Sequence, residues 1–547
     1  MTKSHWWKSA VIYQIYLRSF QDSDGDGIGD LPGVIQRIDY LEWLGIDVVW
    51  LTPFFPSPMA DFGYDVSDHQ DVDPVFGKLA DLERLISLLH ERNIKVVIDF
   101  VAAHTSDQHP WFIESRSSTN NPKRNWYIWK DPGMDGQPPN NWIGRFDGLS
   151  AWEWDEPTKQ YYLHSFLKEQ PDLNWRDPGC EAAMLKVLDF WIKKGVDGFR
   201  VDAAYRAYKD PEFRDNPVNQ DWHPGMEPSD RLFEVYNKNV PDIHIFNRML
   251  RSFVDERGDH LLIAELYKPL EVIVKHYGED DEFHLPLNSA LMSSGLNWTA
   301  EAIREIVERY ERLLPQGAWP NWSLGNHDKH RVVSRYGIAQ AKVAMMLLLT
   351  LRGTPTIYYG EELGMEDGWI PPEHIQDPWE IKSPGIGVGR DPERTPMLWD
   401  GSRHAGFCST NVLPWLPITM DHSRINVMEQ QQHPRSFLSL TQALLALRKH
   451  HECLQLGDHQ SLYSPQQLFC YRRWTETGEL LMALNFSDEL QEWILPMEWR
   501  DQATVLLSTG MDRQGGRLGE ILQLRPNEGV ILGLVPQEFH SFAPPSR

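Results

Sequence analysis

Two charged residues stand close together in a short apolar segment of this chain. Residues 198–203 read Gly-Phe-Arg-Val-Asp-Ala and predict a buried strand, in which alternate side chains share a face. Arg200 and Asp202 therefore point to the same side of the strand. Burying charged groups costs free energy unless they are paired or take part in a reaction. The segment is therefore either a structural ion pair or part of a catalytic site.

Other predicted strands also end in residues that can do acid–base chemistry. An acid that closes an apolar strand, as Glu265 does, has its charged form disfavoured and is expected to stay protonated near neutral pH. Asp202 is expected to be held ionised by the adjacent Arg200. One protonated and one ionised carboxyl are what retaining glycoside hydrolysis requires. The strand-end residues are Asp99 and His104 after the third strand, Glu265 on the fifth, and Asn326, His327 and Asp328 after the seventh.

No single one of these residues is decisive. Barrel proteins carry many acids at strand ends, and a lone histidine such as His104 or His327 is more often a hydrogen-bonded core residue than a ligand. Several such residues at the same ends of successive strands carry more weight, because barrel enzymes place their chemistry there. Asp328, as the third acid, would be free to hold hydroxyl groups of a distorted sugar.

The elements that would position these residues alternate along the chain. Amphipathic helical patterns such as 34–44, 82–91 and 182–192 separate the strands, and the last ends on Lys193, Lys194 and a capping Gly195. Eight strands alternating with helices predict a parallel (β/α)8 TIM barrel. The predicted strands are 11–18, 48–53, 95–101, 198–203, 261–266, 282–287, 320–325 and 355–359.

Two regions depart from this alternation. About eighty residues rich in Trp, Asn, Pro and Gly follow the third strand, and a loop of that length predicts an inserted unit with its own fold. After residue 451 the helical pattern stops and short β-like runs predict a small antiparallel domain. We therefore divide the chain into barrel residues 1–104 and 175–457, an insertion at 105–174, and a C-terminal β domain at 458–547.

Composition and charge exclude several classes of partner. The net charge of −25 argues against nucleic acid and anionic membranes, since both require basic patches. The four cysteines lack metal-type spacing, and a disulfide framework is not expected in a chain of this size. The start of the chain shows no secretory signal pattern, and the longest apolar run, 344–351, is too short to span a bilayer. We expect a reduced, cytoplasmic protein.

An acidic loop near the start of the chain could hold a metal ion. Residues 22–30 read Asp-Ser-Asp-Gly-Asp-Gly-Ile-Gly-Asp, and carboxylates two positions apart in a glycine-rich turn can converge on a hard cation such as Ca²⁺ or Mg²⁺. The loop starts like an EF-hand, but its twelfth position is Gly33 instead of a bidentate glutamate. The alternative is a solvated acidic turn without a metal.

Several segments together resemble the α-amylase superfamily, glycoside hydrolase family 13, and its oligo-1,6-glucosidase/α-glucosidase branch. The resemblance covers essentially the whole chain in order. The segments are Val11–Tyr16, Gly63–Asp65, Gln170–Asn174, Gly198–Asp202, Ile263–Leu266, Asn326–Arg331, Gly353–Glu362 and Arg394–Trp399.

The resemblance implies a barrel with an inserted B domain and a C-terminal β-sandwich. It implies that Asp202 is the nucleophile, Glu265 the acid/base and Asp328 the stabiliser of the transition state. The implied enzyme is a retaining, exo-acting α-glucosidase for short oligosaccharides or disaccharides, working as a monomer or homodimer. Tyr64, His104, Arg200 and His327 would line the glucose site, Asp61 and Arg390 would hold the terminal 4-hydroxyl, and Asp22, Asp24, Asp26, Asp30 and the Ile28 carbonyl would bind a structural Ca²⁺ or Mg²⁺.

Three positions depart from the family pattern, and one bears on bond preference. Ala103 replaces an asparagine before the strand-three histidine, and Phe62 is expected to reshape the pocket rim. The fifth-strand motif continues Glu265-Leu-Tyr-Lys where Val-Trp is more usual after the acid/base, which bears on the +1 subsite. Ala203, directly after the nucleophile, goes with α-1,4 cleavage in this branch, and valine there goes with α-1,6.

Two alternatives remain beside hydrolysis. A transglucosylase or a trehalose or sucrose isomerase would use the same glucosyl-enzyme and pass the sugar to another hydroxyl group. A non-catalytic binding protein on the same scaffold would have lost its acids, which this chain retains. An endo-amylase is disfavoured because Asp61 and Arg390 would block a long chain.

Overall fold

The computed structural model describes residues 5–534, and its centre is an eight-stranded parallel barrel. Each strand pairs in parallel with its neighbours in the order seven, eight, one, two, three, four, five, six. The predicted (β/α)8 TIM barrel is confirmed, with each strand close to its predicted position. The barrel strands are Ile12–Ile15, Val48–Leu51, Lys95–Val101, Gly198–Asp202, Leu261–Ala264, Leu285–Pro286, Asn321–Ser323 and Thr354–Tyr358.

The barrel closes between its sixth and seventh strands through one side chain. No backbone ladder joins these two strands within residues 5–534. The Asn321 amide nitrogen donates to the Pro286 carbonyl at 2.6 Å, and its oxygen accepts from the Asn288 backbone N–H at 2.8 Å. A buried amide thus supplies the two hydrogen bonds that a ladder would otherwise provide.

The helices lie between and around the strands. Helix Pro178–Lys193 shows why they form where they do: Asp177 caps its first turn, proline occupies the first helical position, and Trp191 is buried against the barrel. Gly195 then takes a left-handed φ of 96°, which confirms it as the residue that ends the helix. The helices are Leu31–Gln36, Ile38–Leu44, Leu79–Glu91, Pro110–Ser117, Pro178–Lys193, Ile243–Asp255, Leu270–Ile273, Ala300–Leu313, Val332–Thr350, Pro378–Lys382, Val427–Gln432, Phe437–His450 and Glu452–Gln455.

Two long segments cover the carboxyl ends of the strands. Within the insertion after strand three, Trp129–Lys130, Trp152–Asp155 and Gln160–Leu163 form a three-stranded antiparallel sheet. Residues 203–242, after strand four, contain short 3₁₀ turns and isolated β-bridges but no α-helix or named strand. Both segments contribute side chains to the cavity described below.

The C-terminal strands are antiparallel, as predicted. Five form one sheet and two pair separately, and the strand expected at 529–535 is Gly529–Leu534, since Val535 lies outside the described residues. Strands Asp458–Leu462 and Ile521–Leu524 were not predicted, because both are short and interrupted by polar residues. The others are Leu468–Trp474, Glu479–Asn485, Gln491–Ile494 and Ala503–Ser508. The exact domain boundaries stay a prediction.

Helix Val332–Thr350 is the one helix in residues 5–534 that is long and apolar enough to cross a membrane by length and composition. It extends well beyond the apolar run 344–351 seen in the sequence. Within its most apolar window 56% of the residues are buried inside the protein. A buried core helix meets the same length and composition criteria, so the helix is accounted for by the barrel's own packing.

Candidate active site

The Arg200 guanidinium is the meeting point of three strand ends. Barrel strands three, four and five pair so that Asp99 lies opposite Arg200, which lies opposite Ile263 on the strand that leads to Glu265. One terminal nitrogen, Nη1, donates to Asp99 at 3.1 Å and to Asp202 at 2.8 Å. The other, Nη2, lies 2.6 Å from Glu265. Arg200 is fully buried, so three carboxyl groups share one cation out of contact with water.

This arrangement corrects the expectation that Arg200 serves Asp202 and that Glu265 ends in apolar surroundings. The strand register brings Arg200 equally close to both acids. Burial raises the pKa of Asp202 well above its ordinary value, and Arg200 opposes that shift only in part. One positive charge thus faces both carboxyls.

Glu265 is held at both carboxyl oxygens. Oε1 faces Arg200, and Oε2 accepts a hydrogen bond from the Ala203 backbone N–H at 2.9 Å. Ala203 can present this N–H because its φ is 42°, in the left-handed region. The turn directly after Asp202 therefore ties the ends of strands four and five together, with both acids directed into one cavity.

Asp328 has a strongly cationic environment. Its Oδ1 accepts from Arg394 at 2.8 Å and lies 3.5 Å from Arg390, and its Oδ2 accepts from the Tyr267 hydroxyl at 3.4 Å. Burial would raise the pKa of Asp328, but the positive charges of Arg390 and Arg394 outweigh burial and hold it well below its usual range. Asp328 is therefore ionised over the physiological pH range.

Two neutral histidines lie beside these acids. Burial lowers the pKa of His104 to about 4 and that of His327 to about 3. His327 accepts from Gln14 through Nδ1 and donates through Nε2 to the Tyr64 hydroxyl, each at 2.8 Å, and Tyr64 in turn donates to Asp99. Both ring nitrogens of His327 thus have hydrogen-bond partners within the protein.

His104 differs because one of its nitrogens has no partner. Its Nε2 donates to the Tyr64 backbone carbonyl at 3.0 Å, whereas the buried Nδ1 has no hydrogen-bond partner among the described residues. A buried polar atom without a partner is costly, and His104 lines the cavity.

One end of the cavity is closed by an arginine between carboxylates. Arg390 donates to Asp61 at 2.9 Å, and its Nε and Nη2 reach Asp377 at 3.0 and 2.5 Å. Gln170 donates to the other oxygen of Asp61 at 3.2 Å. Asp61 and Arg390 were predicted to lie together, and they do. Asp377, which is fully buried, fixes the arginine from behind.

The cavity enclosed by these residues has a volume of about 260 Å³. Of the nine predicted catalytic and substrate-binding residues, all but Arg200 line it, and Arg200 lies beneath its floor. Aromatic rings complete the wall, which suits the apolar faces of a sugar. Cavity residues that the sequence analysis did not single out as sugar-binding are Arg145, Phe146, Phe166, Tyr205, Arg206, Asp230, Lys238, Tyr267, Lys268, Lys329 and Trp379.

The acidic loop brings three of its four aspartates together. Carboxylate oxygens of Asp22, Asp24 and Asp30 lie within 4.8 Å of one another. No lysine or arginine of residues 5–534 forms an ion pair with them, and their all-oxygen donor set fits Ca²⁺ or Mg²⁺. Asp26 lies outside this group, and its carboxylate accepts from the Ile28 backbone N–H at 2.7 Å.

The positions that depart from the family pattern behave differently from one another. Tyr267 contributes to the cavity directly, accepting from Asn326 at 2.7 Å and donating to Asp328. Phe62 does not reshape the rim as expected, since its ring packs against Trp415 and is absent from the cavity lining. Ala103 is buried, and its carbonyl accepts from Leu173 at the base of the insertion.

Comparison with known proteins identifies the family to which this barrel belongs. Residues 14–457 match the model of the alpha amylase catalytic domain. The chain belongs to the α-amylase family. That match spans the barrel together with its insertion, and therefore every residue of the cavity.

The similar α-amylase family members include hydrolases of α-glucosides. A probable alpha-glucosidase of Rhizobium meliloti (strain 1021) is 41% identical over 508 residues, which cover 90% of this chain and 91% of the relative. An oligo-1,6-glucosidase of Parageobacillus thermoglucosidasius is 36% identical, covering 96% and 98%. The solved α-glucosyl transfer enzyme XgtA is 38% identical with a TM-score of 0.90, covering 97% of this chain and all of that one. The protein is a glycoside hydrolase of this family, and not a binding protein that has lost its acids.

Proposed function

We propose that this family member is a retaining, exo-acting α-glucosidase that removes glucose from the non-reducing end of short α-glucosides. The observation that carries the proposal is the sharing of Arg200 by Asp202 and Glu265 on the floor of a cavity with one closed end. Two carboxyls bound to one guanidinium lie close enough for a double displacement, in which the two groups are roughly 5–5.5 Å apart.

In the first step Asp202 attacks the anomeric carbon while Glu265 protonates the leaving oxygen. The glycosidic bond breaks, a covalent glucosyl-enzyme forms, and the proton from Glu265 leaves with the aglycone. Glu265, now ionised, takes a proton from water, which attacks the anomeric carbon and releases α-glucose and Asp202. Arg200 stays in contact with both acids throughout and compensates whichever is charged.

The other cavity residues bind the sugar that reacts. The ionised Asp328 holds two hydroxyl groups of the distorted ring, and His104 contributes to the wall of the same cavity. Asp61 and Arg390 bind the terminal 4-hydroxyl and leave no room for a further sugar unit. Attack therefore starts at the chain end.

The test is an Asp202→Asn variant with Asp421→Asn as control, since Asp421 is exposed and outside the cavity. Asp202→Asn removes the nucleophile and should reduce hydrolysis of p-nitrophenyl α-glucoside at least about 10⁴-fold, as loss of a catalytic nucleophile does. Proton NMR of the first product should show α-glucose. Near wild-type hydrolysis by the variant, or β-glucose as the first product, would contradict the proposal.

For bond preference we propose that α-1,4 linkages are favoured. Ala203 lines the cavity next to Asp202, and its small side chain leaves room for an aglycone joined through a secondary hydroxyl. A difference of one or two methyl groups is worth roughly 1–3 kcal/mol, so isomaltose or sucrose would be a slower substrate and not an excluded one.

Transfer to a sugar hydroxyl is the second candidate, favoured by the likeness to the α-glucosyl transfer enzyme. Both reactions pass through one glucosyl-enzyme and differ only in what intercepts it. Product analysis at high maltose distinguishes them, because hydrolysis gives glucose alone and transfer gives new disaccharides or trisaccharides. We further propose a structural Ca²⁺ or Mg²⁺ on Asp22, Asp24 and Asp30, and a cytoplasmic monomer or homodimer.

A further inference from the structure

The charged residues that line the cavity fall into two groups. Among the predicted catalytic and sugar-binding residues, the acids outnumber the arginines that hold them. The remaining charged residues of the lining are mainly basic. The basic residues there are Arg145, Arg206, Lys238, Lys268 and Lys329, and Asp230 is the acid among them.

Three of these five cations have carboxylate partners. Arg206 contacts Glu234 at 3.0 Å, and Lys238 is paired with the same carboxylate. Arg145 lies 2.5 Å from Glu227 and 3.5 Å from Asp230. These contacts compensate the arginines and Lys238 within the protein. They leave the two remaining lysines as the cations open to a ligand.

Lys268 and Lys329 make no ion pair or side-chain hydrogen bond with any residue of 5–534. Each ammonium group lies over a tyrosine ring instead, at 5.3 Å from the Tyr205 centroid for Lys268 and 5.0 Å from that of Tyr267 for Lys329. Both are partly buried. A cation withdrawn from water without a carboxylate partner costs free energy that an anionic ligand would recover.

Both lysines are close in sequence to catalytic acids. Lys268 follows Glu265 by three residues, and Lys329 directly follows Asp328. Burial, together with Lys238 and Arg206, lowers the pKa of Lys268 to about 7. A negative group in the cavity would favour its protonated form. In a chain with a net charge of −25, two uncompensated lysines at this point form a local exception to the overall charge.

We propose that the leaving-group side of this cavity binds an anionic aglycone, so that the preferred substrates are α-glucosides whose leaving group carries a carboxylate or a phosphate. The inference rests on the proposed hydrolase function and concerns the substrate class of the same site. Lys268 and Lys329 form the binding site, and a carboxylate or phosphate oxygen accepts hydrogen bonds from their ammonium groups.

The experiment compares two substrates that differ at one carbon. Maltobionate is α-1,4-glucosyl gluconate, and maltitol is the same glucoside with a CH₂OH group in place of the carboxylate. The expected result is a kcat/KM about tenfold higher for maltobionate, the effect of one or two charge-assisted hydrogen bonds. The preference should shrink in 0.5 M NaCl, because salt screens partly exposed charges.

Two variants then assign the preference to the lysines. Lys268→Gln and Lys329→Gln should each lower the maltobionate-to-maltitol ratio, and the double variant should bring it close to one. Lys186→Gln is the matched control, since Lys186 is an exposed lysine outside the cavity and its removal should leave the ratio unchanged. If Lys268→Gln does not fold, the wild-type ratio and Lys329→Gln still test the proposal.

A ratio of one or less in the wild type for both the maltobionate–maltitol pair and the sucrose 6′-phosphate–sucrose pair, or a preference that survives in the double variant, would overturn the inference. Failure to cleave any neutral glucoside, including p-nitrophenyl α-glucoside, would instead refute the proposed function on which it rests. Sucrose 6′-phosphate compared with sucrose distinguishes the two anions: a preference in this second pair alone assigns the site to phosphate, and one in the first pair alone assigns it to carboxylate.

Discussion

Substitution of Asp377 tests whether the position of Arg390, at the closed end of the cavity, depends on a residue that does not line the cavity. It accepts hydrogen bonds from the Arg390 backbone N–H at 2.7 Å and from the guanidinium through two nitrogens. An Asp377→Asn change keeps the size of the side chain and removes its charge and one acceptor oxygen. Arg390 would then be drawn toward the two carboxylates that remain, Asp61 and Asp328.

The structure sets bounds on the size of the effect. A hydrogen bond to a charged group contributes about 1.5–3 kcal/mol, and stripping a buried ion of its only partner costs about 3–5 kcal/mol. Arg390 keeps two other carboxylates, so the smaller figure applies. We therefore expect kcat/KM to fall roughly 10- to 100-fold. Most of the fall should be in KM, because Arg390 binds a hydroxyl remote from the reacting carbon.

Steady-state kinetics on maltose and p-nitrophenyl α-glucoside measure this change, with Asp421→Asn as the matched exposed control. Thermal unfolding should show a lower Tm for Asp377→Asn alone. A kcat/KM within twofold of wild type, at an unchanged Tm, would show that Arg390 is positioned without Asp377 and would refute the reasoning.

Three further outcomes follow from the structure. Ala203→Val should shift the maltose-to-isomaltose ratio of kcat/KM toward isomaltose by about tenfold. It should also lower the Tm, because a β-branched residue is strained at the positive φ of this position. An unchanged ratio would contradict the bond-preference proposal. EDTA should lower the Tm of the wild type, and excess Ca²⁺ or Mg²⁺ should restore it. The Tm of Asp24→Asn should change with neither addition. Equal changes of Tm in the two proteins would contradict the metal site. Burial lowers the pKa of His276 to about 3, so the stability that neutral His276 contributes is complete above its pKa in the unfolded chain, near 6.5, and is lost as pH falls. His276→Gln should therefore reduce the loss of unfolding free energy between pH 6 and 4 by about 1.4 kcal/mol per pH unit. An unchanged dependence of the unfolding free energy on pH would contradict this.

The elements and most of the cavity residues could be predicted because they follow periodic patterns. Strand alternation directs Arg200 and Asp202 to one side, and the parallel order of the strands brings Glu265 and Asp328 to the same end of the barrel. These inferences need only local periodicity and the rule that the carboxyl ends of barrel strands meet.

The site residues that the sequence did not reveal lie in segments without the periodic apolar spacing of a helix or a strand. Asp377 precedes a helix of only five residues in a loop rich in proline and glycine, so nothing local marks it as the partner of Arg390. The sharing of Arg200 by three acids was missed for another reason. It depends on the register between strands, which a single strand's sequence does not contain.

The amide of Asn321 has a consequence for motion in the barrel. Strands six and seven are joined by two hydrogen bonds of the Asn321 side chain instead of a backbone ladder. These two strands should therefore separate at the lowest free-energy cost of any neighbouring pair in the barrel, and native-state hydrogen exchange of the barrel strands should be fastest there. Asp202 and Glu265 stand on one side of that joint and Asp328 on the other. Transient separation of strands six and seven would thus vary the distance from Asp328 to Asp202 and Glu265. Arg200 contacts both of these acids and would keep the distance between them constant.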